Sequence, residues 1–389
     1  MTINNEHNKL NVPNLRFKEF EGEWEKCKLG EIATICGGYA FNSKELSSKK
    51  GLYQVVKMGN LYQNNLDLSR TPSFINYIDS KSNKVLLHYG DIAITLTGTN
   101  NKRDFGYSYM FTTEQNLLLN QRCGLIRTEH NPYFVFNLVK TNSFLNQFFE
   151  SSTGGTGNQA NVSTKSMESF SVYIPKSKEQ RKIADLLRLI DERIATQNKI
   201  IDKLQSLIKG IRNDVYGKLR KSVGFNAMIS DVLSYEQPQP YIVENTEYTT
   251  EGIPVLTANK AFVLGYTSET NGIYDKGDCI IFDDFTLDCK YVDFPYKIKS
   301  SAIKILTAKN KELLRYTFEF LKYLDLSTEE HKRHYIAETQ NQEFILPTMH
   351  IVSTIAHTFS ALSLRMESVV KQRNMFETQK QYLLRQMFI

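Results

Sequence analysis

The stretch IPKSKEQRKIADLLRLIDERI, Ile174 to Ile194, decides the fold, because something like it begins again as LPTMHIVSTIAHTFSALSLRM, Leu346 to Met366. Pro175 and Pro347 lie 172 residues apart, and the same offset sets Ile183 on Ile355 and Ala184 on Ala356. Both stretches read as the start of a long helix. In the first, Ile183, Leu187, Ile190, Ile194, Gln197, Ile201, Leu204, Ile208, Ile211 and Val215 follow at alternating steps of four and three, the seam of a heptad helix. In the second, the shifted positions are Ile355, Phe359, Leu362, Met366, Val369, Arg373, Phe376, Lys380, Leu383 and Met387. Ser177 and Gln180 have the spacing of a capping box just after Pro175.

Working outward, the echo continues upstream of both helices. YQVVKMGN, Tyr53 to Asn60, lies over IPVLTANK, Ile253 to Lys260, at an offset of 200. YGDIAI from Tyr89 lies over KGDCII from Lys276 at 187, and LIRTEHNPYFVFNLV from Leu125 over KILTAKNKELLRYTF from Lys304 at 179. The offset falls steadily, as it does when one copy has shorter loops between shared core elements. Each copy holds aromatic and β-branched runs with Gly-Asp turns, which read as short strands. A shorter helix follows, capped by Asn131 with Pro132 at its first position, or by Asn310 in the second copy.

The pattern predicts an α+β chain with an approximate two-fold internal repeat. Residues 1–173 and 223–346 form two globular domains, and 174–222 and 347–389 form two long helices. A lone heptad helix suggests a dimer. Here the second helix begins where the second domain ends, so if that domain's two ends lie close together the helices pair within the chain. The expectation is an intramolecular antiparallel coiled coil separating the domains, a dumbbell. Roughly 40 residues at ~1.5 Å each make a rod of ~60 Å.

Composition bounds the partners. The chain has 389 residues, 41% hydrophobic and 23% charged, as in soluble globular proteins. Its net charge of +6 leans mildly toward an anionic partner. The polar start carries no signal-peptide pattern, and no stretch approaches the ~18 apolar residues of a membrane span. Five cysteines without a Cys-x-x-Cys pair fit a reduced, cytoplasmic chain.

Several segments imitate catalytic motifs. Asn131-Pro132-Tyr133-Phe134 is near the Asn-Pro-Pro-Tyr/Phe motif of amino-methyltransferases, but Tyr133 replaces the second proline and no glycine-rich cofactor turn follows a strand. Helix capping accounts for Asn131 and Pro132 more simply; an adenine methyltransferase using this segment and a non-enzymatic scaffold are the alternatives. TGGTGN, Thr153 to Asn158, has the glycines of a phosphate loop without its Lys-Ser/Thr. Asp283, Asp284 and Asp288 read as a turn after a strand, and His331 with His334 as a basic contact loop rather than a metal site.

These residues together resemble the DNA-specificity subunits of type I restriction–modification systems. The likeness is carried by PNLRFKEFEGEWEKCKLGEI from Pro13, the GGYAFNSKEL and VVKMGNL runs, the two Gly-Asp strands and IPKSKEQRKIADLL. In the second half it is carried by IIFDDFT, YVDFPYKIKSSAIKIL and HKRHYI; LPTMHIVSTIA departs from the family's Pro-Leu-x-Glu-Gln-like helix start. The resemblance implies a non-catalytic subunit with two target-recognition domains, each reading one half of a bipartite, asymmetric site on double-stranded DNA. The helix pair would set the spacer, at most about 17 base pairs for a ~60 Å rod, and dock two methylation subunits. No cofactor is expected on this chain; S-adenosylmethionine, and ATP with Mg on motor and restriction subunits, would belong to partners.

Base edges are read by Arg, Lys, Asn, Gln and Ser/Thr, and phosphates are gripped by Lys, Arg and small polar groups. The first domain's candidates are Lys44, Lys57 and Asn60, then Thr97, Thr99, Asn100, Lys102 and Arg103 after the Gly-Asp strand, then Thr156, Asn158 and Gln159 of the glycine loop. The second domain offers Thr257, Asn259 and Lys260, then Asp284, Thr286, Lys290 and Lys299, and the basic run Lys332, Arg333, His334. An aspartate belongs in such a set because a carboxylate accepts from cytosine N4.

Overall fold

A computed structural model describes residues 11–113, 116–154, 159–258, 261–328 and 332–389. Gly90 and Gly277 open equivalent strands of the two halves, and both sit in the left-handed region, at φ +87° and +93°. That backbone costs glycine nothing, which is why the Gly-Asp pair recurs. It introduces the strands Ile92–Thr95 and Cys279–Asp283.

The same three sheets are built in each half. The first half has a four-stranded antiparallel sheet in the order Ala33–Gly37, Cys123–Thr128, Ile92–Thr95, Ser108–Met110. The second half answers with Leu233–Glu236, Ile303–Ala308, Cys279–Asp283, Cys289–Val292. A smaller sheet is centred on Tyr53–Val56 or Ile253–Leu256, and each centre strand has one parallel neighbour, Leu117–Leu119 or Lys297–Ile298. A two-stranded ribbon closes each domain: Glu25–Lys28 with Ser171–Ile174, and Ala227–Met228 with Glu343–Phe344. The internal repeat read from the sequence is therefore a repeat of topology.

The ribbons explain the helix pairing. Asn226 donates its amide to Leu346 O (2.9 Å) and accepts from Leu346 N (2.8 Å), so the second domain begins and ends at one place. The long helices are Ser177–Ser222 and Met349–Gln386. Every seam position named above in both is buried or half-buried.

Compactness divides the chain into two units that cut across both helices: residues up to Ala195 with Arg373–Ile389, and Thr196–Gln372. In the first unit the end of the second helix lies on the start of the first. Phe388 stacks on Phe134 (5.1 Å) and meets the buried Trp24 edge-on (6.2 Å). Glu179, 2% exposed, accepts from Trp24 Nε1 (3.2 Å) and from Arg16 Nε and Nη2 (2.8 Å each). In the second unit the end of the first helix lies by the start of the second, with Arg212 over the Phe359 ring at 5.8 Å. The helix segments in each unit thus run antiparallel.

Two local readings change. Gln180 does not close a capping box with Ser177; it donates to Pro175 O (2.8 Å) and accepts from Asn131 N (3.3 Å), tying the long helix to the shorter one. Asn310 sits in a turn, accepting from Glu312 N (3.1 Å), and the following helix, Leu313–Leu324, has no side-chain cap. Asn131 does cap Pro132–Leu138, accepting from Phe134 N at 3.0 Å.

The polar seam residue Lys380 is satisfied by Asp191, whose two oxygens it reaches at 2.6 and 2.7 Å and which also accepts from the Tyr133 hydroxyl. Lys140 lies beside them with its ammonium 3.4 Å from the Phe136 ring centre. Burial, reinforced by Lys380 and only partly offset by Asp191, pushes its pKa down to about 7. Between about 7 and the ordinary 10.5 the unfolded chain therefore holds a proton that the folded chain has released. Stability should rise with pH across that window. Lys140→Met should melt higher than the wild type at pH 7, with the gap narrowing by pH 9. A gap that stays constant between the two would sink this assignment.

Candidate nucleic-acid interface

In the first domain the fold brings two separated candidate segments together. Strand Thr97–Thr99 pairs with Gln159–Asn161, which pairs with Thr153–Gly154, so the loop after the Gly-Asp strand lies beside the arms of the glycine loop. A Cβ on Gly154 would stand 3.5 Å from the Asn100 amide nitrogen. Thr156 and Asn158 lie outside the described residues.

The loop is shaped by its own side chains. Asp104 accepts from Thr99 N (2.8 Å) and Thr99 Oγ1 (2.7 Å), and these bonds hold its carboxyl below the usual carboxylate range. Asn101 takes a left-handed φ of +60°, which asparagine tolerates. The result presents Asn100, Lys102 and Arg103 exposed on a fixed turn. Arg103 is further ordered by the Phe149 ring, 5.0 Å beneath its guanidinium.

Other candidates are used internally. Thr97 is 4% exposed and donates to Asn161. Asn60, 2% exposed, accepts from Lys57 N and donates to Asp67 O and Arg70 O, so it closes a turn instead of meeting a base. Lys57 donates to Ser73 Oγ. Lys44 is exposed, but it belongs to the segment packed on the smaller sheet rather than to the Thr97–Arg103 loop.

In the second domain Asp284 is corrected most. It is 1% exposed, and its Oδ1 accepts from the amides of His334 (3.0 Å) and Tyr335 (2.7 Å) while Oδ2 faces buried Lys304 at 3.4 Å. Asp284 is a clamp that pins the basic run against strand Cys279–Asp283. Its own amide donates to Ala302 O (2.8 Å), which draws in the turn after Lys299. His334 is 2% exposed, with Nδ1 2.9 Å from Glu338, so it too faces inward. Lys332 pairs with Glu338 at 2.9 Å, and this bond, with the one from His334, keeps the Glu338 carboxyl below its ordinary range.

Thr286, Lys299 and Arg333 remain exposed. Lys290 is half-buried and 3.6 Å from Asp288. Thr257 is 8% exposed and is held in the smaller sheet's turn through its amide to Phe262 O. Asn259 and Lys260 lie outside the described residues. Asn131 of the methyltransferase alternative has its side-chain oxygen committed to the helix cap.

Sequence reasoning missed Phe149, Asn142 and Asn146, which stand on the helix Asn142–Glu150 beside Arg103, and Asp325, at the end of the helix Leu313–Leu324 in the second domain. Nothing in the linear pattern separates such residues from ordinary solvated helix positions, because the partner loop lies about forty residues away.

Residues 21–206 match the family model described as Type I restriction modification DNA specificity domain. The chain is 44% identical over 126 residues to the type I restriction enzyme EcoR124I/EcoR124II specificity subunit of Escherichia coli, a match covering 31% of each chain. The matched segment thus spans under a third of that subunit. The fold is similar throughout to the crystal structure of a type I restriction-modification system S subunit from M. genitalium. That alignment has a TM-score of 0.62 and 14% identity, covering 97% of this chain and 99% of the other.

Proposed function

We propose, on the premise that residues 21–206 place the chain in the type I restriction modification DNA specificity family, that it is the sequence-reading subunit of such a system. Each domain reads one half of a bipartite, asymmetric target on double-stranded DNA. One observation carries this reading: the chain builds the same scaffold twice and dresses it with different exposed loops. Asn100, Lys102 and Arg103 stand on one copy, and Thr286, Lys299 and Arg333 on the other. Two copies of one scaffold with unlike loops suit two unlike half-sites.

The chain acts without a catalytic centre of its own. Methyl transfer, with S-adenosylmethionine, belongs to two methylation subunits, and ATP with Mg to motor and restriction subunits. Large apolar side chains left on the long helices support the docking of methylation subunits. Leu189, Met375 and Tyr382 are at least half exposed in the first unit, and Leu207 and Leu364 in the second. The reading places the complex in the cytoplasm; among the described residues no helix is long and apolar enough to cross a membrane.

The test is to co-express the chain with its methylation subunit and map N6-methyladenine across the host genome. The expected outcome is a split motif with one methylated adenine on each strand. An assembled complex that adds no methylation would overturn the reading.

A further inference from the structure

Among the described residues a cleft in the first half and a cleft in the second occupy the same place in the repeat. Both lie between the loop that leaves the Gly-Asp strand and the helical segment that follows the strand Cys123–Thr128 or Ile303–Ala308 of the same sheet. The first, about 370 Å³, is lined by Asn64, Arg103, Tyr107, Asn142, Asn146 and Phe149. The second, about 650 Å³, is lined by Thr286, Asp288, Lys322 and Asp325 among others. Asn146 and Asp325 are 179 residues apart, the offset that sets Leu125 on Lys304. A cleft kept at one topological position while its lining changes is how a scaffold varies what it recognises.

The linings differ in hydrogen-bonding sense. In the first cleft Arg103 lies over Phe149, with Nη1 within 3.5 Å of Asn146 Oδ1. A guanidinium stacked through its face still has N–H edges to donate, and holding it on a ring removes rotamer freedom before binding. Two parallel N–H donors match the O6 and N7 acceptors of guanine in the major groove.

The second cleft carries two carboxylates, Asp288 and Asp325, beside Lys322. Burial works against the charge on Asp288, but Lys322 at 2.5 Å, with Lys290, wins and holds its carboxyl below the ordinary range. Asp325 is exposed and ends its helix at a left-handed φ of +48°. An anion at a helix C-terminus meets the negative end of the dipole, while the left-handed backbone is a usual close of a helix and one that aspartate tolerates. The negative charge at this position therefore does not stabilise the helix it ends.

We propose that these clefts are the base-reading sites of the two halves, with Arg103 selecting a guanine edge in one half-site and Asp325 a cytosine amino group in the other. This rests on the DNA-reading function proposed above. The full chain, assembled with its methylation subunit, is used to select from a random-sequence duplex library, and preference at each position is compared between variants. Arg103→Lys keeps the charge but loses the bidentate fork, and should reduce preference at one G·C pair about ten- to hundredfold. Asp325→Asn keeps a residue that tolerates the left-handed backbone, and should relax one pair in the opposite half-site by a similar factor. Preference unchanged in both variants, or both acting on the same base pair, would overturn the assignment. A wild-type complex without sequence preference would overturn the underlying reading, an outcome distinct from either.

Discussion

Replacing Glu319 with alanine should cost the second unit about 3–5 kcal/mol of stability, the usual penalty for removing one partner of a buried ion pair. Glu319 is 1% exposed and serves two arginines. Arg212, from the first long helix, reaches its Oε2 through Nε (2.9 Å) and Nη2 (2.7 Å). Arg315 reaches Oε1 at 2.9 Å and also donates to Phe359 O (3.2 Å) and to Ser363 Oγ on the second long helix. One carboxylate therefore holds segments of both long helices on the helix Leu313–Leu324. Its loss leaves two guanidiniums, both less than one-sixth exposed, without their carboxylate, Arg212 over the Phe359 ring and Arg315 with only Phe359 O and Ser363 Oγ among its described acceptors. Urea unfolding should show the loss, and amide exchange should rise first in Leu313–Leu324 and in the start of the second long helix. Glu319→Gln, which keeps one acceptor, should cost less. A Glu319→Ala protein within about 1 kcal/mol of wild type would mean the arginines are satisfied without it.

The second large effect is expected at Asp284. Alanine there removes the acceptor of two amides and strands Lys304, itself 1% exposed and otherwise reaching only Gln237 Oε1 at 3.0 Å among its described hydrogen bonds. A loss of about 3–5 kcal/mol follows from the uncompensated buried charge. Because Asp284 also anchors the segment after Lys332, the variant should bind DNA more weakly than its stability loss explains. Adding Lys304→Met should restore part of the stability but not the anchoring of His334 and Tyr335, since the two defects have different causes. Full recovery of DNA affinity in the double variant would show that Asp284 acts only through the ion pair.

Periodicity and repetition were legible because they are linear properties. The heptad seam needs only residues three and four apart, and it survives intact in the burial of Ile183 through Met387. The left-handed glycines at 90 and 277 and the cap at Asn131 are likewise local, set by backbone sterics and a hydrogen bond three residues long. Four matched segments in order were enough to show that one unit was built twice, and the antiparallel pairing followed on the condition, met by Asn226 and Leu346, that the second domain's two ends lie together.

Burial and partnership at the site were decided only by the tertiary structure. Asp284 and Arg103 are alike in the sequence, polar residues in a loop after a strand, yet one is 1% exposed and the other lies open over Phe149. The difference comes from segments about fifty residues downstream, His334 and Tyr335 in one case and the helix Asn142–Glu150 in the other. A side chain's exposure depends on what packs over it, and no local pattern carries that. So the sequence by itself determined the duplicated architecture and the chemistry of its loops, while the fold chose which of those loop residues face outward, because long-range packing alone sets solvent access and pairing.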